Sequence, residues 1–284
     1  GPPVAGDPRH RDHRGHLLHL VDGRLQQRHQ LALEAEFLDR LAAQAGDVDP
    51  GGDIFEVAGD GTQVRLQLVE LGLLREAELE PLTRLPREYC DYGRLIPAKR
   101  ELLKRAAERM QSRSGVALMA EYEEFLHRHG DWVADYATFR VLKTQHGERP
   151  WPEWDKDFVR RDAAALRRAR EAHRADIETT QVTQFLFDRQ WRELRLYAAE
   201  RDIALFGDIP IYIALDSADA WTSREMLQVD GDGVPSAVAG VPPDYFSEDG
   251  QLWGNPLYDW AYHARTGYRW WIERMQHIGR KTDL

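Results

Sequence analysis

Ile203-Ala-Leu-Phe-Gly-Asp208-Ile-Pro-Ile-Tyr-Ile-Ala-Leu215 is an apolar run interrupted by a single carboxylate. A carboxylate is almost never fully buried without a partner, so Asp208 belongs at the end of a strand, facing a polar cleft. In an α/β barrel that end is the carboxyl end, where active sites are built. Pro210 agrees, because proline has no N–H to give to a central ladder. Downstream lie Ala239-Gly-Val-Pro-Pro-Asp-Tyr-Phe-Ser247 and Gly250-Gln-Leu-Trp-Gly-Asn-Pro-Leu-Tyr258, too rich in glycine and proline for helix or strand. In them the polar groups of Asp244, Gln251 and Asn255 alternate with the flat faces of Tyr245, Phe246 and Trp253. Hydroxyl-binding groups set among aromatic faces are what a sugar-binding loop needs.

Outward from this stretch the pattern turns helical. Pro97 is expected to open a helix with the stripe Leu102, Leu103, Ala106, Ala107 and Met110. A second helix is expected from about Glu121 to Lys143, burying Tyr122, Phe125, Trp132, Val133, Tyr136 and Phe139. After the break at Gly147 to Pro152, a long helical region runs from Asp157 to Glu200, with Phe185, Leu186, Trp191 and Leu194 as packing residues. Asp259 to Gln276 reads as helix with Trp260, Trp270, Trp271 and Ile272. Further upstream, Val64 to Leu74 reads as a helix ended near Gly72, and 29–45 as one with Phe37, Leu38, Leu41, Ala42 and Ala45 on one face. Ile54 to Val57 is a short strand-like piece.

Two runs invite a metal reading. His10, His13, His16 and His19 recur every three residues among arginines, but a transition-metal site also fixes its ligands with a definite geometry. A solvated, partly disordered basic tail over 1–28 is the preferred reading. Asp230-Gly-Asp-Gly-Val234 opens like a calcium loop yet lacks the closing Glu, and Asp-Gly is a hairpin-turn signal. The reading therefore assigns no metal.

The 284 residues carry a formal net charge of −10, which argues against a nucleic-acid partner. A hydrophobic share of 42% and a charged share of 30% suit a soluble globular protein. One cysteine, Cys90, rules out an internal disulfide framework. No run approaches the roughly 18–20 apolar residues of a membrane helix, and the start has no secretory apolar core. The expectation is a cytoplasmic protein with no membrane contact and no obligate protein partner.

The run from Phe185 to Arg274 resembles the amylomaltases, the bacterial 4-alpha-glucanotransferases also called disproportionating enzymes. The resemblance is carried by Gln184-Phe-Leu-Phe-Asp-Arg-Gln-Trp191, Gly207-Asp-Ile-Pro-Ile-Tyr212, Asp216-Ser-Ala-Asp-Ala-Trp221, the two loop segments above, and Gly267-Tyr-Arg-Trp-Trp-Ile272. Weaker matches reach upstream to Asp91-Tyr-Gly-Arg-Leu-Ile-Pro97 and Asp135-Tyr-Ala-Thr-Phe139. Long ordered matches are far more specific than a lone short motif.

The resemblance implies an α/β fold: part of a (β/α)8 TIM barrel with a large, helix-rich insertion. Residues 1–70 would be an atypical front region, 71–200 the helical insertion, and 201–284 the third barrel strand with its active-site loop and following helix. It implies that Asp208 ends that strand close to the sugar, and that Asp244, Tyr245 and Phe246 sit on a loop arching over it. Trp253 would pack against a glucose unit, with Gln251 and Asn255 as hydroxyl partners. The implied reaction cuts an α-1,4-glucosidic bond and passes the glucosyl segment to another maltooligosaccharide, a retaining double displacement needing a carboxylate nucleophile and an acid/base carboxyl. No cofactor is implied.

The departures matter equally. In the family the nucleophile lies in an Arg-Ile-Asp-His segment just past the position matched by Leu284, and the acid/base Glu and a further Asp follow later. None of these lies within the 284 residues, so no catalytic residue is assigned. The first two barrel strands and a Ser-Pro-Tyr-Gln stretch have no counterpart in residues 1–70, and Asp188 stands where the family keeps an aromatic. The chain is thus read as an interior part of a transferase, inactive alone. Two other readings stand beside it: a non-catalytic α-glucan-binding protein, and a helical interaction module built on 97–200.

Overall fold

The computed structural model describes residues 67–283 apart from 87, 88, 90, 113–115 and 246. The expected basic tail, the helix at 29–45, the strand-like piece at 54–57 and Cys90 lie outside these residues. Residues 67–70 are helical, and the chain turns at Gly72 with φ of +68°, a conformation glycine adopts without strain. There Leu73 and Leu74 both donate to the Leu68 carbonyl.

Four long or medium helices follow. α1 spans Tyr92–Met110 and is capped by the Asp91 carboxylate, which accepts from the Arg94 N–H at 3.2 Å. Pro97 therefore lies inside this helix and does not open it; the start is set by the Asp91 cap, six residues before Pro97. α2 spans Val116–Gln145, α3 Ala163–Ala172 and α4 Arg174–Ala199. The single long helix expected over 157–200 is broken at Arg161, whose φ is +56°, and again at His173. At the first break Asp162 caps α3 through the N–H groups of Ala164 and Ala165.

Two cores hold these helices. In the first, Leu102, Ala106 and Met110 of α1 meet Tyr122, Phe125 and Val133 of α2 and Val182, Phe185 and Leu186 of α4. The Phe185 ring packs edge-on to Tyr122 at 5.5 Å and tilted to Phe125 at 5.8 Å, the geometry that aligns ring edges with ring faces. Trp132, expected inside, is exposed instead, because it sits on the side of α2 turned toward His129 and His277. In the second core Phe139 and Leu142 meet Trp151, Trp154, Val159, Leu166 and Trp221. Each of its three indole N–H groups donates to a carbonyl: Trp151 to Leu215 at 2.6 Å, Trp154 to Arg149 at 2.9 Å and Trp221 to Phe158 at 2.9 Å. Lys143 is buried beside them and is paired with the Asp216 carboxylate, which a buried charge requires.

The third part of the molecule carries the stretch quoted first. α5, Ala218–Thr222, is capped by the Ser217 hydroxyl, which accepts from the Ala220 N–H at 3.2 Å. The Asp-Gly run at 230–234 is a hairpin turn between the bridged residues Val229 and Pro235, with Asp230 Oδ1 accepting from the N–H groups of Asp232 and Val234 at 2.9 Å each. The two segments expected to be neither helix nor strand pair with each other instead: β1, Val238–Val241, runs antiparallel to β2, Gln251–Pro256, in the register Gly240 opposite Leu252 and Val241 opposite Gln251. α6, Trp260–Arg265, and α7, Arg269–Gly279, replace the one helix expected over 259–276; Gly267 and Tyr268, with φ of +64° and +55°, turn the chain between them.

Among the described residues β1 and β2 form the only sheet. The apolar run 203–215 is not a strand there. A strand exists through a ladder with a neighbour, and among the described residues the run has none; at Leu205 it makes an isolated exchange, in which the Asp283 N–H donates to the Leu205 carbonyl at 2.8 Å and the Leu205 N–H to the Asp283 carboxylate at 2.9 Å. The helix-rich character is as expected.

Candidate functional site

Among the described residues no strand lies beside the run 208–213, and side chains engage its carbonyls. Arg274 of α7 donates from Nη2 to the Pro210 carbonyl at 2.8 Å, the Tyr258 hydroxyl to the Ile211 carbonyl at 3.0 Å, and the Asn255 amide to the Ile213 carbonyl at 3.0 Å. Between these bonds the Tyr212 ring lies parallel to Tyr258, with centroids 6.1 Å apart and planes at 8°, and edge-on to Trp253 at 6.0 Å. These bonds to the carbonyls of Pro210, Ile211 and Ile213, the last of them buried, tie the run to α7 and to the hairpin beside it.

The base under this arrangement is aromatic. Tyr258 contacts Trp270 at 5.8 Å and Trp271 at 5.0 Å, and His263 is fully buried among Tyr258, Trp260, Trp270 and Trp271. Burial pushes the His263 imidazole down and the Tyr258 phenol up, so both are held neutral at ordinary pH. The Arg274 guanidinium lies 5.0 Å from the Trp270 ring, which leaves a cation over an aromatic face beside the run.

Asp208 heads the run and is exposed. Asp244 is exposed too, and it shapes its own loop: its N–H donates to the Ser247 carbonyl and its carboxylate accepts from the Ser247 N–H, both at 2.9 Å. Tyr245 is 97% exposed at the loop tip, and Phe246 lies outside the described residues. The strands below the loop frame a depression of about 420 Å3 lined by Val238, Val241, Pro242, Asp249, Gln251 and Leu252. The Gln251 side-chain oxygen accepts from the Trp253 indole N–H at 3.0 Å, which orients a ring 42% open to solvent. Asn255 is buried, and its amide N–H donates to the Ile213 carbonyl, which ties β2 to the run.

Sequence reasoning missed Tyr258, Arg274 and Tyr212 as members of this arrangement. The one visible signal was a lone arginine following Trp270 and Trp271 on a helix, a residue whose charge needed a partner nearby. Among the described residues no group of three His, Cys, Asp or Glu side chains is placed to hold a metal ion, and no helix is long and apolar enough to cross a membrane.

A family model described as 4-alpha-glucanotransferase matches residues 46–284. The 4-alpha-glucanotransferase of Synechocystis is 41% identical over 211 residues, which is 74% of this chain and 42% of that protein. That of Aquifex aeolicus is 40% identical over 211 residues, 74% of this chain and 41% of that protein. Among solved structures, the amylomaltase from Streptococcus agalactiae in complex with acarbose is similar with a TM-score of 0.71 and 36% identity, covering 78% of this chain and 44% of that one. The chain thus spans about two fifths of the length of these relatives.

Proposed function

Because the chain belongs to the 4-alpha-glucanotransferase family, we propose that it is the substrate-holding part of an enzyme that moves α-1,4-glucan segments between maltooligosaccharides by a retaining double displacement. The observation that carries this reading is the half-open Trp253 ring, held by Gln251 and by Tyr212 of the run that exposed Asp208 heads. A pyranose has one apolar face and a rim of hydroxyls. An aromatic plane of the kind Trp253 supplies matches the first, and carboxylates of the kind Asp208 and Asp244 supply match the second. The loop 242–250 would close over the sugar with Tyr245 at its tip, and the run 203–210 would stand as a barrel strand once flanked by partners.

A retaining reaction needs a nucleophile and an acid/base carboxyl about 5–5.5 Å apart. No pair in that role is assigned within the 284 residues, so the polypeptide alone binds glucan and does not transfer it. Incubating the purified chain with maltotriose tests both halves. The account expects no glucose release and no longer oligosaccharides, while maltotriose raises the melting temperature, as any ligand of the folded state must. Transfer products from the chain alone would refute the first half, and a melting temperature blind to maltotriose the second.

A further inference from the structure

The loop 242–250 is closed on itself through one half-buried residue, Ser247. Ser247 donates from its N–H to the Asp244 carboxylate at 2.9 Å and from its hydroxyl to the Gly250 carbonyl at 2.7 Å. Its own carbonyl accepts twice, from the Asp244 N–H at 2.9 Å and from the Gly250 N–H at 3.2 Å. Every polar group of Ser247 is thus engaged inside the loop. The four bonds draw 244 and 250 toward a common point and leave Tyr245, 97% exposed, on the short arc between Asp244 and Ser247. The base of the loop is equally tight. A Cβ at Gly240 would lie 2.5 Å from the Gln251 carbonyl oxygen, and one at Gly250 would lie 2.5 Å from that of Val241. Val241 stands opposite Gln251 in the ladder, so the loop begins and ends on one fixed rung.

Ordering a loop costs conformational entropy, and a ligand must offset that cost when the loop takes shape only on binding. A loop already closed by its own bonds removes most of it. Among the four bonds the Ser247 hydroxyl is the only side-chain donor, so it is the one a substitution can remove while the other three stay. Its hydrogen is directed at Gly250 and away from any ligand, so it acts through the shape of the tip. We infer that Ser247 is a positioning residue, whose hydroxyl keeps the tip in one shape and so delivers Tyr245 to a bound glucan as part of a preformed unit. This rests on the function proposed above, in which the loop closes over the sugar. Threonine keeps the hydroxyl, and alanine takes it away.

Two measurements on the 284-residue chain decide it. Amide hydrogen exchange without sugar reads the loop directly. The Ser247 and Gly250 N–H groups should exchange about tenfold more slowly than in an unstructured peptide; Ser247→Ala should remove that protection and Ser247→Thr should keep it. Calorimetric titration with maltotriose reads the consequence. Ser247→Ala should weaken binding about three- to tenfold, the worth of one hydrogen bond, with the loss in the entropy of binding. Ser247→Thr should bind like the unaltered chain. In a Tyr245→Ala background, where Trp253 remains to hold sugar, Ser247→Ala should change nothing, because the hydroxyl acts through the Tyr245 ring. The melting temperature should be the same in all of these variants. Unchanged exchange in Ser247→Ala, unchanged affinity, or an affinity loss that persists without Tyr245 would each overturn the inference and leave the transferase reading in place. No maltotriose binding to the unaltered chain would overturn both.

Discussion

Arg274 donates to the Pro210 carbonyl at 2.8 Å, and this bond ties helix α7 to the run that carries Asp208. The same side chain approaches the Tyr258 hydroxyl at 3.5 Å, which itself donates to Ile211. Two residues distant in sequence thus hold two consecutive carbonyls. Replacing Arg274 by Ala leaves the Pro210 carbonyl without that donor, and Tyr258→Phe does the same for Ile211. Each change should cost about 1–3 kcal/mol in urea unfolding. Because the two side chains touch, the double variant should cost less than the sum of the singles. Simple additivity would show that the bonds act independently of one another.

Much of the helical part was legible in the residues, and the reason is periodicity. Leu102, Ala106, Met110 and Tyr122, Phe125, Val133 fall on faces that the structure buries. The boundaries were less legible, since they are decided by single capping groups: Asp91 begins α1 ahead of Pro97, and Asp162 restarts the chain as α3. The candidate site was legible as a stretch, but the direction in which each of its side chains faces was not. Asn255 and Trp253 are two residues apart and look equally able to meet a sugar, yet one is turned inward to Ile213 and the other outward. Which way each faces depends on the run 210–213 being present beside the hairpin, a contact some forty residues away that no local pattern encodes.

Gly233 gives a sharp packing test. Its φ is +82°, and a Cβ built there would meet Cη2 of the buried Trp151 ring at 2.2 Å. The indole cannot retreat, because its N–H is engaged with the Leu215 carbonyl. Gly233→Ala combines a strained backbone with an overpacked core, and should destabilise by about 2–4 kcal/mol. A shift within a few tenths of the wild-type value would contradict this packing.

Acid should loosen the contact between α7 and α2. His277 stands edge-on to Trp132 at 5.6 Å and to His129 at 6.5 Å, and burial, with Lys281, Arg280 and His129 adding repulsion, pushes its imidazole down to about 4. His129 is lowered as well, again chiefly by burial, with Arg128, Arg280 and Lys281 opposing its charge and Asp188 favouring it. The folded state therefore prefers both rings neutral. Their contribution is complete above the ordinary value of 6.5 and is lost as pH falls from there toward 4. Glu78, held at about 2 by its bonds from Arg109, acts lower, its contribution being lost only as pH falls from 4.5 toward 2. The urea midpoint should thus fall between pH 6.5 and 4, and His277→Gln should flatten that fall while leaving the lower limb unchanged. An unaltered upper limb would contradict the assignment.

Phe206 and Ile211 are 74% and 72% exposed along the unpaired run, with Ile203 also exposed. Apolar side chains on an unpaired backbone invite association. Light scattering of the purified chain should rise with concentration, and Phe206→Ser with Ile211→Thr should suppress it without altering the helical circular dichroism signal. Scattering unchanged by the double variant would locate self-association elsewhere.

The most direct test of the central claim is a crystal structure of the chain with maltotriose. The account predicts a glucosyl ring lying against the open face of Trp253, with hydroxyls within reach of Asp208. A sugar-free Trp253 in crystals where the ring remains accessible and maltotriose is in excess would contradict it.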